Sequence, residues 1–552
     1  MLYTSALSTP TLVAAAAAAL VARLAALPPP AAYISELAAA LPGGRVVLPQ
    51  DQPEAFTTAI DGHFSLQNRD MQFEPACVVQ PRDVDELSIA VRHLAREHTL
   101  RRNSNNSSIA GHGLFAVRCT GANPAQGVAG ARDGVLLDLS RLSTLALSAD
   151  QTELRVGGGC TWEAVYHFLD PQGLTVVGGR STPVGVGGST LGGGISYFSG
   201  HRGLMCSNVV RYTVVLADGR VVVASEAENA DLWRALKGGL NNFGVVAEFS
   251  LRVCPGGPVW LSATVTPAFL QSDSVLRAYH DDAIQAATPG GFDPNVATPI
   301  LSLAHMPALG MSLWVTQLFY TVLPSSSSSS PSPSTSDGPR RIGDKTWPAY
   351  WRSSPLGRRI WGIRTARGTF SHADAVRQNG LMSPAGLRQA YCVTGFRMDL
   401  PTLRAAVAVF DKHKTRLSAL KATDTAFCIV FQTLNPRWVN KGDPNSLGLE
   451  GDTIKDPVVI VLFCCSWVDV QHDGIVKRVM QDCVDETEAA SRQLGSEHRY
   501  RFANYASEWQ RPLGGYGEEN LRFLREVSKQ YDPEGLFQTG CLGGYKLGRE
   551  DL

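Results

Sequence analysis

The sequence predicts an α+β protein, and three observations predict it. Between residues 75 and 255 strands and helices alternate too irregularly for a doubly wound parallel sheet. From 256 to 490 extended segments are interleaved with helices, which suits an antiparallel sheet covered by helices on one face. At 552 residues the chain also exceeds a single domain, and its length alone suggests roughly two to four.

The elements follow in order. Residues 1–40 contain "TLVAAAAAALVARLAAL" at 11–27, which has the apolar run of a signal peptide. It lacks a basic segment before the run, carries Arg23 inside it and is rich in strong helix formers. An Ala-rich helix ending at Pro28-Pro29-Pro30 is an equal reading. The next block spans 41–255, with its core at 73–255. There "ACVVQPRDVDELSIAVRHLAREH" reads as a strand, a Pro turn and an amphipathic helix. "FAVR" at 115–118 is a buried strand that turns sharply through Cys119, Thr120, Gly121, Ala122 and Asn123. "GVLLDLSRLSTLALSADQTELRVGGGCTWEAVYHFL" gives short strands, a Gly turn and a helix. "VVRYTVVLADGRVVVAS" is a hairpin turning at Asp218-Gly219. A helix stopped by Gly238-Gly239 and one more strand complete the block.

The block from 256 to 490 offers the extended segments "LSATVTP", "SLWVTQLFYTVL", "AYCVTGFRMDL", "FCIVFQTL" and "VVIVLFCCSWV". Its helices are "LPTLRAAVAVFDKH" and "DGIVKRVMQDCVDETEAASRQL". Residues 324–339, "PSSSSSSPSPSTSDGP", interrupt it with a composition that predicts a disordered surface loop. Residues 491–552 mix one helix with turns and aromatic side chains.

Composition narrows the function. Hydrophobic content of 44% and charged content of 18% describe an ordinary globular protein. Lys plus Arg and Asp plus Glu both number 50, so no global field draws nucleic acid or an acidic membrane. Beyond the N-terminal stretch no apolar run is long enough to span a bilayer. The eleven cysteines are scattered without a C-x-x-C pair, so no metal site is expected. They read mostly as small core residues, with Cys464-Cys465 in a buried strand. This odd, unpaired-looking set leans towards a reducing compartment, with one or two bridges left open. The sequons at Asn105 and Asn106 decide little.

The 53 glycines cluster between 111 and 203, above all in "VVGGRSTPVGVGGSTLGGGISYFSGHRGL" at 176–204. Backbone N–H groups converge on an anion only where no Cβ intervenes. Two familiar phosphate motifs fail, however. G-x-G-x-x-G breaks because Thr190 stands where the third glycine belongs after Gly185 and Gly187, and G-x-x-x-x-G-K-[ST] is absent. Glycine turns in an irregular β scaffold are the bland alternative.

Taken together, "GGRSTPVGVGGSTLGGGISYFS", "VVLADGRVV" and "DLWRALKGGLNNFGVV" resemble the PCMH-type FAD-binding domain of the vanillyl-alcohol-oxidase superfamily. Within it the sequence is most similar to berberine-bridge-enzyme-like oxidases of fungal type. "NYASEWQRPLGGYGEENLRFLREVSKQYDPEGLFQ" resembles that group's tail, so the likeness runs from roughly 40 to 548. It implies two α/β subdomains that clasp FAD, a substrate domain with a large antiparallel sheet, and a C-terminal segment returning to the FAD domain.

The resemblance also implies a cofactor set. Arg118, Cys119, Thr120, Gly121, Ala122 and Asn123 form one side. Ser181, Val184, Gly185, Val186, Gly187 and Gly188 form the other, and Gly192, Gly193, Gly194, Ser196, Val245 and Asn504 complete it. Family members usually tether the flavin to a histidine after the FAVR strand and often to a cysteine before the second glycine run. Here those places hold Ala122 and Ser181, so FAD is expected to be bound without a covalent bond. His112 precedes the strand, and a loop histidine is its default reading. Val184 stands where relatives place a small residue that admits oxygen, which implies an oxidase; a core valine is equally consistent. The family's Tyr-x-Asn-Tyr motif reads "FANY", with Phe502 in place of its first tyrosine. Asn504 then meets the flavin, and Tyr505 or Tyr500 is the expected base, with aromatic packing the alternative for each.

The expected function is oxidation of a small organic molecule in fungal secondary metabolism, with hydride transfer to flavin N5 and electrons passed to O2. Two rivals are a secreted carbohydrate oxidase of the same family and a flavin-bearing scaffold that guides cyclisation without net redox. Removal of 324–339 is expected to leave flavin content unchanged.

Overall fold

A computed structural model describes residues 31–70, 73–103, 113–322, 347–381, 385–418 and 425–550. The N-terminal Ala-rich run, both sequons, His112 and the serine-rich insert lie outside the described residues.

Three sheets organise the chain. The first contains β1 (Val46–Val47), β2 (Cys77–Val79), β3 (Phe115–Arg118) and β4 (Val135–Asp138) in the order β1-β2-β4-β3. Strands β2 and β3 both run parallel to β4, and β1 is antiparallel to β2. A parallel neighbour needs a crossover, and the helix Val84–Asn103 lies on the path from β2 to β3. Its first turn carries Asp85 and Glu86 and its last turn Arg101 and Arg102, the arrangement a helix dipole favours.

The second sheet contains β5 (Leu145–Leu147), β6 (Glu153–Gly157), β7 (Leu174–Val176), β8 (Val209–Val215), β9 (Val221–Ser225) and β10 (Val245–Pro255). Its order is β5-β6-β10-β8-β9, with β7 paired to the end of β10, and every pairing is antiparallel.

The third sheet has seven antiparallel strands: β11 (Val259–Pro267), β12 (Val296–Met306), β13 (Met311–Thr321), β14 (Ile363–Phe370), β15 (Arg388–Arg397), β16 (Ala426–Leu434) and β17 (Val458–Trp467). Their order is β14-β11-β13-β12-β16-β17-β15. Side chains alternate between faces along a strand. On β16 and β17, Phe427, Ile429, Phe431, Phe463, Cys465 and Trp467 are sealed under helices Leu400–Ser418 and Asp473–Gln493. The intervening Cys428, Val430, Cys464 and Ser466 are only partly buried. That second face also carries Gln432 of β16 and Tyr391 of β15.

Strands β12 and β14 and one long helix are among the elements that lie outside those the sequence predicts. Pro299 interrupts the β pattern of β12, and the register slips between Ala297 and Ile300, where a proline is tolerated. Strand β14, "IRTARGTF", is polar because it is a sheet edge. The helix Ala268–Ala287 intersperses Ser272, Asp273, Ser274, His280, Asp281 and Asp282, which blurs its apolar stripe.

The C-terminal stretch packs back on the first sheet. Leu114 N–H donates to Gly540 O at 2.6 Å, and Cys541 bridges Phe115. Buried Asp532 receives N–H bonds from Leu536 at 2.8 Å and Phe537 at 2.7 Å, fixing the turn that starts this return. All eleven cysteines are free thiols. Among the described residues no helix is long and apolar enough to cross a membrane, and no group of three or more His, Cys, Asp or Glu gathers to hold a metal.

Candidate active site

The turn after β3 is held by close backbone approach. Gly121 has φ +66°, and a Cβ there would lie 2.5 Å from Gly62 O. Its own carbonyl accepts from Phe64 N–H at 2.9 Å, so residues 62–64 clasp the turn. Two of the segments expected to hold the cofactor meet here. A Cβ on Gly185 would lie 2.7 Å from Thr120 Cγ2, and one on Gly187 would lie 2.5 Å from Cys119 Sγ. The Gly188 N–H donates to the Cys119 sulfur. Residues Cys119 through Asn123 are all partly exposed along this seam. Gly188 is exposed as well, and the position of its missing Cβ has nothing within 4 Å. A glycine-lined trough with an open floor suits a large anionic cofactor such as a dinucleotide, which needs close backbone approach.

The tether positions are small and polar or apolar. Ala122 presents a partly exposed methyl. The Ser181 hydroxyl donates to Thr182 O at 3.2 Å. Asn123 is joined from above by Tyr545, whose hydroxyl also donates to Ala506 O, so the C-terminal segment ties the turn to the FANY motif.

That motif joins the glycine run to the third sheet. Asn504 Nδ2 donates to Ser189 O at 3.0 Å, and its Oδ1 occupies the space that a Cβ on Gly192 would need. The next residue, Tyr505, faces the sheet. Its ring meets Tyr391 edge-on at 6.4 Å and Phe502 at 4.9 Å. Its hydroxyl accepts from Gln432 Nε2 at 3.0 Å, and Gln432 Oε1 accepts from the Arg180 guanidinium. Arg180 also donates to Thr298 O at 3.2 Å and reaches Tyr505 directly. Among the described residues no carboxylate pairs with Arg180, and burial pulls its pKa below the usual guanidinium value. Asn379 and Tyr197 both donate to the Arg180 carbonyl, at 2.9 and 3.2 Å, which fixes the backbone that aims this side chain.

Other expected residues are placed differently. Arg118 is 4% exposed, ion-paired with Asp138 at 3.0 Å and bonded to Ala59 O, so its side chain braces the first sheet. Ser196 is sealed in a turn, its N–H donating to Ser199 Oγ at 2.9 Å. Val186 and Val245 pack in the core. Gly193 and Gly194 have φ of +101° and +72° and sit beneath Leu447 and Met205, so they shape the turn beneath the trough. Val184 is partly exposed and its carbonyl accepts from Trp162 N–H at 3.1 Å. Tyr500 is 2% exposed and stacked on Tyr516 at 6.1 Å, and burial pushes its hydroxyl pKa far up. Of the two tyrosines, only Tyr505 is partly exposed in a polar setting.

Sequence reasoning does not single out Arg180, Gln432 or Tyr391. Arg180 carries a signal, since it is the one charge in "VVGGRSTPVGVGGSTLGGG". Gln432 and Tyr391 carry none, because nothing local marks which face of a strand lines a cleft.

Comparison with known proteins identifies an FAD binding domain in this chain. Residues 75–225 match the FAD binding domain family. The chain is 31% identical over 439 residues to an FAD-dependent monooxygenase of Cochliobolus heterostrophus, covering 78% of this chain and 80% of that protein. It is 29% identical over 523 residues to an FAD-dependent monooxygenase of Fusarium proliferatum, covering 93% of each. Among solved structures, the berberine-bridge-enzyme-like protein 1 of Physcomitrella patens superposes with a TM-score of 0.68 at 15% identity, over 92% of this chain and 98% of that one.

Proposed function

Because the chain belongs to the family of FAD-dependent oxidoreductases that its fungal monooxygenase relative represents, we propose that it oxidises a small organic molecule of fungal secondary metabolism, with O2 as electron acceptor. The reaction is assigned to the cleft between the 185–192 glycine run and the third sheet. FAD lies along the trough formed by 119–123 and 185–188, held by backbone donors and apolar walls with no bond to Ala122 or Ser181. When bound, FAD supplies a hydride acceptor at N5 of its ring and passes the electrons on.

The observation that carries this reading is the Arg180–Gln432–Tyr505 chain. Oxidation of an alcohol or an activated C–H bond needs a proton removed as the hydride leaves. In its deprotonated form Tyr505 is the base: the donors of Gln432 and Arg180 face its oxygen and stabilise the phenolate that accepts the substrate proton. Arg180, buried without a carboxylate partner among the described residues, leaves the cleft locally cationic and favours an electron-rich oxygen on the substrate. Asn504 keeps Tyr505 in register with the glycine run.

The test is anaerobic mixing of the FAD-loaded protein with candidate phenols, alcohols and polyketide-type compounds, followed by readmission of oxygen. Bleaching of the flavin, then one peroxide per product and a product lighter by two hydrogens, is the expected result. The names of the relatives favour a second reading, oxygen insertion. Heavy-oxygen gas separates the two, because only a monooxygenase places the label in product.

A further inference from the structure

The third sheet carries a second reactive feature on the face that bears Gln432 and Tyr391. Cys428 on β16 and Cys464 on β17 are directly opposite in the antiparallel register. Both project to the partly buried face, while Cys465 and Cys392 turn into the helix-covered core. Across the next strand Cys464 faces Tyr391, the ring that packs against Tyr505. The row across the cleft wall therefore runs Tyr391, Cys464, Cys428 and Ala304. The two thiols are hydrogen-bonded to each other.

We propose that Cys428 and Cys464 form a redox-active thiol pair in the substrate-cavity wall, closed to a disulfide by hydrogen peroxide. Opposite residues of an antiparallel pair have Cβ atoms about 4.5–5.5 Å apart. A relaxed disulfide needs about 3.5–4.5 Å. Closure is therefore reachable by a small local movement, and the resulting bond is strained and readily reduced, as regulatory disulfides are. The hydrogen bond with Cys428, then burial, holds the Cys464 thiol well above its usual pKa.

The chemistry balances. The Cys428 sulfur attacks one peroxide oxygen, the O–O bond breaks, and water leaves with a sulfenic acid formed. The Cys464 sulfur then displaces the sulfenic oxygen as a second water. Two thiols lose two electrons and two protons, and one peroxide becomes two waters. Closure removes two S–H groups and draws together the wall beside Tyr391. Self-supply of peroxide by turnover rests on the oxidase reading above; the pair itself does not.

The experiment treats full-length, FAD-loaded protein with graded hydrogen peroxide in the absence of substrate. Remaining thiols are then blocked, the chain is digested, and the peptides are weighed. The expected product is a Cys428–Cys464 cross-link two hydrogens lighter than its parts, formed before other cysteines over-oxidise and lost on addition of dithiothreitol. Retention of both thiols at peroxide levels that oxidise Cys119 overturns the proposal, as does separate conversion of each to sulfinic acid. In Cys428→Ser, checked for its flavin spectrum, no cross-link to Cys464 is expected; a Cys464 disulfide with any other cysteine also overturns it. A parallel run with substrate and oxygen tests the source. A cross-link with added peroxide but none during turnover refutes the oxidase supply while the pair stands.

Discussion

The Gln432 side-chain amide donates to the Tyr505 hydroxyl at 3.0 Å, and the direction of that bond is fixed from the far end. Arg180 has only donors, so the atom of Gln432 that meets it is the oxygen. The nitrogen of Gln432 then faces Tyr505, and the tyrosine oxygen is the acceptor. Its own proton is free to point into the cleft. A guanidinium on the strand-to-turn segment before Ser181 thus orients a phenol that lies far along the chain.

Tyr505→Phe is expected to keep FAD bound and to slow substrate-dependent flavin reduction about 10²- to 10⁴-fold, the range of a lost general base. Arg180→Met is expected to slow the same step, and the double variant to lose less than the product of the two factors, since the groups act as a unit. Stopped-flow absorbance under anaerobic conditions reads both. Full rate in Tyr505→Phe would refute its role as base.

Much of the proposed cofactor trough is legible in the sequence alone. The glycine run, the FAVR turn and the FANY motif are local patterns, and each sits where close backbone approach demands it: Gly121 against Gly62 O, Gly192 against Asn504. What stays hidden depends on distant pairings. Gln432 becomes a site residue only because β16 lies between β12 and β17 and turns that side chain to the cleft. Arg118 misleads for a related reason. It adjoins the turn in sequence, yet Asp138 on the neighbouring parallel strand captures its guanidinium.

Two glycines of one run are expected to respond differently. In Gly192→Ala the new methyl overlaps Asn504 Oδ1, which displaces Asn504 from Ser189. Loss of bound FAD and lowered stability are expected together. In Gly188→Ala the methyl meets nothing within 4 Å and points into the trough. The apoprotein is expected to keep its melting temperature, within the roughly 0.5 kcal/mol of an ordinary surface change. FAD affinity is expected to fall. Calorimetry of the apoprotein and fluorescence titration with FAD check the pair.

Acid precipitation tests the tether positions. With a methyl at Ala122 and a hydroxyl at Ser181, no imidazole or thiol stands at either place to bond the ring. The yellow colour is expected in the supernatant. Colour retained in the pellet would mean a bond elsewhere on the chain.

His63 links the turn to pH. It is 5% exposed, and burial, then the Arg118 and Arg69 charges, push its pKa down from 6.5 to about 3. Its Nδ1 has no partner among the described residues, so the ring is held neutral. The unfolded chain takes up a proton near pH 6.5, while the folded chain does so only near 3. Stability from this group is therefore complete above about 6.5 and is lost as pH falls towards 3, by at most about 1.4 kcal/mol per pH unit. The Cα of His63 lies 3.1 Å from where a Cβ on Gly121 would sit, so a charge forced into this spot disturbs the turn proposed to cradle the cofactor. Acidification from about pH 6.5 to about pH 5, a window above most carboxylate titrations, is expected to lower the melting temperature and release FAD together. His63→Gln, neutral throughout, is expected to flatten both slopes; an unchanged slope in that variant would place the pH sensor elsewhere.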